Sequence, residues 1–256
     1  MIELRRPDHS YFYGFVLCDG HLHEYERNRG RLALELKRGD EDIILAFNKM
    51  FPSVSKISYR TRDTNFKLQY PTVTLSICNR DFREHIKSLG YLPGSKSNLI
   101  NVPNTEYSKV DFVRGIIDAN GSVGFTEEGI PFISLTTPSE FIKDSYLEFL
   151  NENLDISKKC TRNKRDDIYN IVVTRTNAKK LHSILYYKDC VCLGRKNNLL
   201  IKQWVSRFPE KQVKHWLYWE IEYAKNHNIV ESMVKLSRTK QSIVSKLNKL
   251  SKLKGM

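Results

Sequence analysis

Val113-Arg114-Gly115-Ile116-Ile117-Asp118-Ala119-Asn120-Gly121 repeats, 101 positions on, the pattern of Phe12-Tyr13-Gly14-Phe15-Val16-Leu17-Cys18-Asp19-Gly20. Each stretch is an apolar helical run with small residues at its third and seventh places, closed by a short polar residue and a glycine. Gly14 and Cys18 are four apart, as are Gly115 and Ala119, so each pair shares one helical face. Small residues at that spacing let two backbones come close, where a pair of leucines would hold them apart. The two helices are therefore expected to pack on each other across a pseudo-twofold axis, bringing Asp19 and Asn120 side by side at their C-terminal ends.

The repetition extends outward from these helices. His21–Glu26 and the alternating run Arg31–Lys37 flank a turn at 27–30 and read as a hairpin. Asp40 is expected to N-cap an amphipathic helix through Ile43, Ile44, Phe47 and Phe51. Strands near 55–61 and 71–78 follow, then a helix near 80–89 stopped by Gly90. The second half gives the same order: a strand near 122–126, a turn at 127–129, a strand at Phe132–Thr136 and a helix capped by Ser139. Strands near 157–162 and 168–174 and a helix near 177–186 complete it. Gly94-Ser95-Lys96-Ser97-Asn98-Leu99 and Gly194-Arg195-Lys196-Asn197-Asn198-Leu199 close the halves alike, 100 positions apart. The division is a first repeat over 1–100, a linker over 101–108 containing Pro103, a second repeat over 109–208 and a helical extension over 209–256.

Lys plus Arg number 42 against 29 Asp plus Glu, a formal net charge of +13 over 256 residues. That excess favours polyanionic partners, nucleic acid first and acidic membrane surfaces second. Duplex DNA is itself a twofold-symmetric ligand. No apolar run approaches the ~20 residues of a membrane span, and the N-terminal stretch lacks the apolar core of a signal peptide. Five cysteines form no paired framework, and Cys190-Val191-Cys192 has the wrong spacing for a zinc knuckle. The expectation is a monomeric, non-secreted protein with reduced thiols, in cytosol or an organelle matrix.

A helix C-terminus carries partial negative charge and attracts cations. Asp19 and Asn120 at two such ends make a candidate site for Mg²⁺, an oxygen-seeking ion able to polarise a phosphodiester and activate a water. These paired helices resemble the motifs of the LAGLIDADG homing endonuclease family in its single-chain, two-repeat form. The similarity covers roughly residues 7–205, with GIIDANGSV the nearer match. It implies an α+β fold of two pseudo-symmetric αββαββα repeats, whose antiparallel sheets form a saddle over the DNA major groove. It also implies a metal-dependent double-strand cut in a long asymmetric target. By position, Asp19 resembles the first metal-binding acid and Asn120 stands where the second belongs, with Gly20 and Gly121 beside them. Lys96 and Lys196 resemble basic residues near the scissile phosphates. The cofactor implied is Mg²⁺, with Mn²⁺ or Ca²⁺ able to substitute for binding.

Asn120 departs from the pattern, since an amide oxygen can ligate a metal but brings no charge and cannot act as a base. Three explanations stand: a natural nicking form, a copy that only binds, and an inactivating Asp→Asn change. The alternative function on this fold is a non-cleaving nucleic-acid-binding protein, either an RNA-splicing maturase with intron RNA as partner or a DNA-binding regulator.

Strand alternation predicts a DNA-reading face of His23, Tyr25, Arg27, Arg31, Glu35 and Lys37, extended by Arg60, Arg62, Thr72 and Thr74. Leu32, Leu34 and Leu36 form its inner side. In the second half, Ser134 and Thr136 stand in register with Glu35 and Lys37. The C-terminal extension resembles a helix-turn-helix module, with Ile229, Met233, Leu236, Ile243, Leu247 and Leu250 as its core stripe. Arg238, Lys240, Ser242, Ser245, Lys246 and Lys249 are its candidate DNA contacts.

Overall fold

Every residue from His9 to Leu17 is buried, so the first helix, α1 (Pro7–Asp19), lacks a solvent face over most of its length. A helix apolar on all sides belongs in a core. A Cβ at Gly14 would run into the carbonyl oxygen of Phe112 on α4 (Lys109–Asn120). One at Gly115 would meet the carbonyl of Tyr11 and, at 2.8 Å, the backbone nitrogen of Phe15. The two helices thus touch backbone to backbone, and Cys18 and Ala119 pack against the same core. The computed structural model describes residues 1–27, 29–63, 68–94, 97–206 and 216–254, without the side chains of 249 and 251–254.

The first repeat continues through β1 (His21–Tyr25), β2 (Arg29–Lys37), α2 (Glu41–Met50), β3 (Ser55–Arg62), β4 (Tyr70–Ile77) and α3 (Arg80–Ser88). Its strands form one antiparallel sheet in the order β1-β2-β4-β3. Leu22, Leu32, Leu34, Val73, Leu75 and Ile77 alternate inward and share one core with Ile43, Ile44 and Phe47 of α2 and Phe82 and Ile86 of α3. Asp40 does not cap α2 as its position suggested: its side chain makes no bond to the helix and instead accepts from Arg195 Nε at 3.1 and 3.2 Å.

The second repeat runs α4, β5 (Gly121–Phe125), β6 (Pro131–Thr137), α5 (Glu140–Leu154), β7 (Tyr169–Thr174) and α6 (Arg175–Leu185), then a short α7 (Leu199–Gln203). Ser139 caps α5 by accepting from the Ile142 N–H. Its sheet has three strands, β5-β6-β7. The strand expected at 157–162 is not formed. A left-handed Asp155 ends α5, and only an isolated bridge joins Asn163 to Ile168. Side chains do part of what a fourth strand would do: Lys158 Nζ donates to the Val172 carbonyl and Cys160 Sγ to that of Asn170. The second half is therefore αββαβα, one strand short of the first.

The chain divides into two compact units, Met1–Ser206 and Arg207–Met256. In the second, α8 (Tyr218–Asn226), α9 (Ile229–Leu236) and α10 (Lys240–Lys254) enclose a small core of Ala224, Leu236 and Ile243, joined by Trp216, Tyr223 and Leu247. Met233, expected in that core, is 37% exposed. Among the described residues no helix is long and apolar enough to cross a membrane.

Candidate active site

The two central helices end on glycines for want of space. A Cβ at Gly20 would stand 2.5 Å from the Val16 carbonyl, and one at Gly121 would stand 2.6 Å from the carbonyl of Ser134. At the end of α1 the Val16 carbonyl accepts from the Gly20 N–H at 2.8 Å and from the Tyr91 hydroxyl at 2.9 Å. At the equivalent end of α4 a lysine takes over. Lys196 Nζ donates to the carbonyls of Ile117 (2.7 Å), Asp118 (2.6 Å) and Gly121 (2.8 Å).

This corrects the expected place of Lys196. An ammonium has three protons to donate, and all three are engaged on carbonyls by a side chain only 3% exposed. It neutralises the negative end of α4 rather than reaching outward. Burial pushes its pKa down to about 8, against the opposing pull of Asp118 and Asp19. Lys96, its counterpart in the first half, lies outside the described residues.

Asp19 keeps solvent access. The protein around it still removes part of its hydration, which raises its pKa, while Lys196 and Arg195 draw it back. Lys196, seated on the end of α4, thus also acts electrostatically on Asp19 at the end of α1. Asn120 is half-buried. Among the described residues neither Asp19 nor Asn120 hydrogen-bonds through its side chain.

The tips rest on a network the sequence reading overlooked. Asp118 is 1% exposed and accepts from the hydroxyls of Tyr11 and Tyr186, each at 2.7 Å, and from the Leu193 N–H at 2.8 Å. Burial raises its pKa. Arg114, equally buried, donates to Asp111 at 2.5 Å and to the carbonyls of Leu185 and Val191 at 2.9 Å. These contacts fix the segment 190–196 against α4. Arg195, on that segment, crosses to Asp40 of the first repeat. The signals were present as polar residues on an otherwise apolar helix, but nothing in the spacing says what they would meet.

The donors at the tips suit a hard divalent cation. Among the described residues the Asp19 carboxylate and the Asn120 amide oxygen have no hydrogen-bond partner, while the Gly121 carbonyl, a candidate ligand, is taken by Lys196. Among the described residues no three His, Cys, Asp or Glu side chains converge, so the cation-binding charge rests on Asp19.

The outer face of the first sheet follows the expected register. His23 pairs with Arg31, Glu35 with Thr74, Lys37 with Thr72, and Arg60 with Thr72. His21, Arg29 and Lys56 belong to the same face and were missed. His23 and Tyr25 stack at 6.1 Å. Burial, His21 and Arg31 lower the His23 pKa, so the ring favours its neutral form. Four expected contacts differ. Arg27 sits in the turn with φ 59° rather than on the strand. Thr72 is 2% exposed. Arg60 and Arg62 are both drawn onto Glu35.

The corresponding face of the second sheet carries Ser122, Phe132, Ser134, Thr136, Asn170, Val172 and Thr174, with no ionisable side chain among them. In the C-terminal unit, Lys240 and Ser245 are exposed and Ser242 and Lys246 half-buried, while the Lys249 side chain lies outside the described residues. Arg238 is not free to contact DNA: it is 9% exposed, pairs with buried Glu220 at 2.6 Å and lies 4.1 Å from the Trp216 ring centroid.

Residues 108–186 match the family model of the LAGLIDADG-like domain. Among solved structures, the homing endonuclease I-WcaI bound to its DNA recognition sequence is similar over 77% of this chain and 88% of that one, at 14% identity and a TM-score of 0.54. Mesophilic variants of the homing endonuclease I-DmoI match over 70% and 95%, at 15% identity and a TM-score of 0.47. The I-LtrWI LAGLIDADG homing endonuclease bound to target DNA matches over 75% and 86%, at 13% identity and a TM-score of 0.46. No curated protein is detectably similar in sequence.

Proposed function

We propose that this chain is a site-specific endonuclease of the LAGLIDADG type that binds a long asymmetric DNA duplex and cleaves it with a divalent metal held at the tips of α1 and α4. The observation that carries this reading is the abutment of the two helices, with Lys196 seated on the end of α4 and its charge acting on Asp19 at the end of α1. Asp19 would hold Mg²⁺ through its carboxylate, with Asn120 as a neutral second ligand. The bound ion would polarise the scissile phosphodiester and activate a water. The chain's own part is positional: Asp118 and Lys196 fix the end of α4, and the sheets hold the duplex on either side. Basic side chains on the first sheet supply the electrostatic share of binding.

The two tips are unequal. Asp19 brings charge, whereas Asn120 brings none and lies beside an ammonium already seated on its helix end. Cleavage of both strands is accordingly impaired. On a duplex carrying the insertion site of a candidate intron, with Mg²⁺ or Mn²⁺, the chain with Asn120 is expected to nick one strand at most. Asn120→Asp should restore Mg²⁺-dependent double-strand cleavage, because a second carboxylate supplies the charge that the amide lacks as a metal ligand. An Asn120→Asp protein that grips the duplex yet never cuts it overturns the assignment of this position. The neutrality of Asn120 also favours a second reading, a non-cleaving maturase or regulator. Tight binding of structured intron RNA, with no cutting by either form, would select it.

A further inference from the structure

Lys196 is closed off by three carbonyls, but its neighbour is not. Arg195 has 48% of its side chain exposed, and its charge acts on both Asp19 and Lys196. Its backbone is fixed on both sides, by the Leu193 N–H on Asp118 and by the buried Lys196 side chain. The guanidinium is fixed too. Nε alone engages Asp40, at 3.1 and 3.2 Å to the two carboxylate oxygens. Among the described residues the two Nη groups have no hydrogen-bond partner. A guanidinium held through Nε presents its Nη donors as a pre-organised fork, the geometry that matches a phosphate.

From this the geometry points to Arg195 as the side chain of the second repeat that grips a DNA backbone phosphate beside the Asp19 tip, with Asp40 of the first repeat as its positioning residue. Lys196, the adjacent cation, holds the end of α4 and has no donor left for a phosphate. The contact joins both repeats at one phosphate: the guanidinium comes from the segment after α6 and the carboxylate that aims it from the start of α2. The inference rests on the DNA-binding reading above.

The test uses the full chain, Ca²⁺ in place of Mg²⁺, and a duplex selected by the natural protein from a randomised pool. Affinity is measured against salt, and each variant's melting temperature is recorded. Arg195→Gln is expected to lower the slope of log K against log salt by about one, the value of one phosphate contact, with little change in melting temperature. Arg195→Lys should restore the slope, since a point charge still pairs with phosphate. Lys196→Met should keep the natural slope and melt markedly lower. A natural slope in Arg195→Gln, or a slope lost in Lys196→Met, overturns the assignment. If the natural chain selects no duplex at all, the DNA-binding reading falls as well.

Discussion

Lys196 carries a charge into the protein interior, and that has a consequence for stability. Its folded pKa of about 8 lies below the ordinary lysine value of about 10.5. Between those values the unfolded chain binds more protons than the folded one, so stability rises with pH across that window. Below about pH 8 both states are protonated and the full cost of burying the charge is present. Above about pH 10.5 both are neutral and the gain is complete, on the order of 3 kcal/mol. Urea titrations between pH 7 and pH 10.5 should therefore show the natural chain gaining stability relative to Lys196→Met as pH rises. A constant difference would show that the ammonium is not buried at the helix end. Asp118 lies beside it as a buried carboxylate, and its two tyrosine hydroxyls and one backbone N–H replace the water it gave up.

The helix pair is the element on which both repeats depend. At Gly14 an added methyl meets the Phe112 backbone, which cannot swing away as a side chain could. Gly14→Ala should force the helices apart and cost about 2–3 kcal/mol by overpacking. Gly124→Ala on β5 is the control: its new Cβ would lie 3.7 Å from the Phe132 ring, an ordinary contact. Thermal melts should separate the two, with the first well below the natural chain and the second equal or slightly higher. This packing was legible in the sequence because small residues four apart are a local signal. The absent strand at 157–162 was not legible. Its residues can alternate as a strand does, but whether they pair depends on what occupies β7 beside them, and Lys158 and Cys160 reach it through their side chains.

On the scale of the whole molecule the two repeats share an architecture and differ in charge. The first sheet presents Arg29, Arg31, Lys37 and Lys56 outward, whereas the second presents hydroxyls, one amide and apolar groups. The electrostatic, salt-sensitive share of binding should thus reside over the first sheet. Replacing Arg31 and Lys56 together by Gln is expected to reduce the salt slope of duplex binding by about two. Replacing Ser134 and Thr136 by Ala should leave the slope intact and relax base preference in one half of the selected site. Equal salt slopes lost from both sheets would contradict this division.

The sequence by itself determined the duplication, the two central helices, the first sheet's register and the polar identity of Asp19 and Asn120. These follow from local spacing and from the fixed periods of helix and strand. Only the tertiary structure decided which basic groups are available to DNA. Lys196, Arg238 and Arg195 look alike in the chain. The first is enclosed by carbonyls, the second by Glu220 and Trp216, and the third is left, among the described residues, with an open fork. Exposure is set by residues distant in sequence, such as Asp118 on α4 and Asp40 before α2, and a charge can remain inside only where such partners replace its lost water.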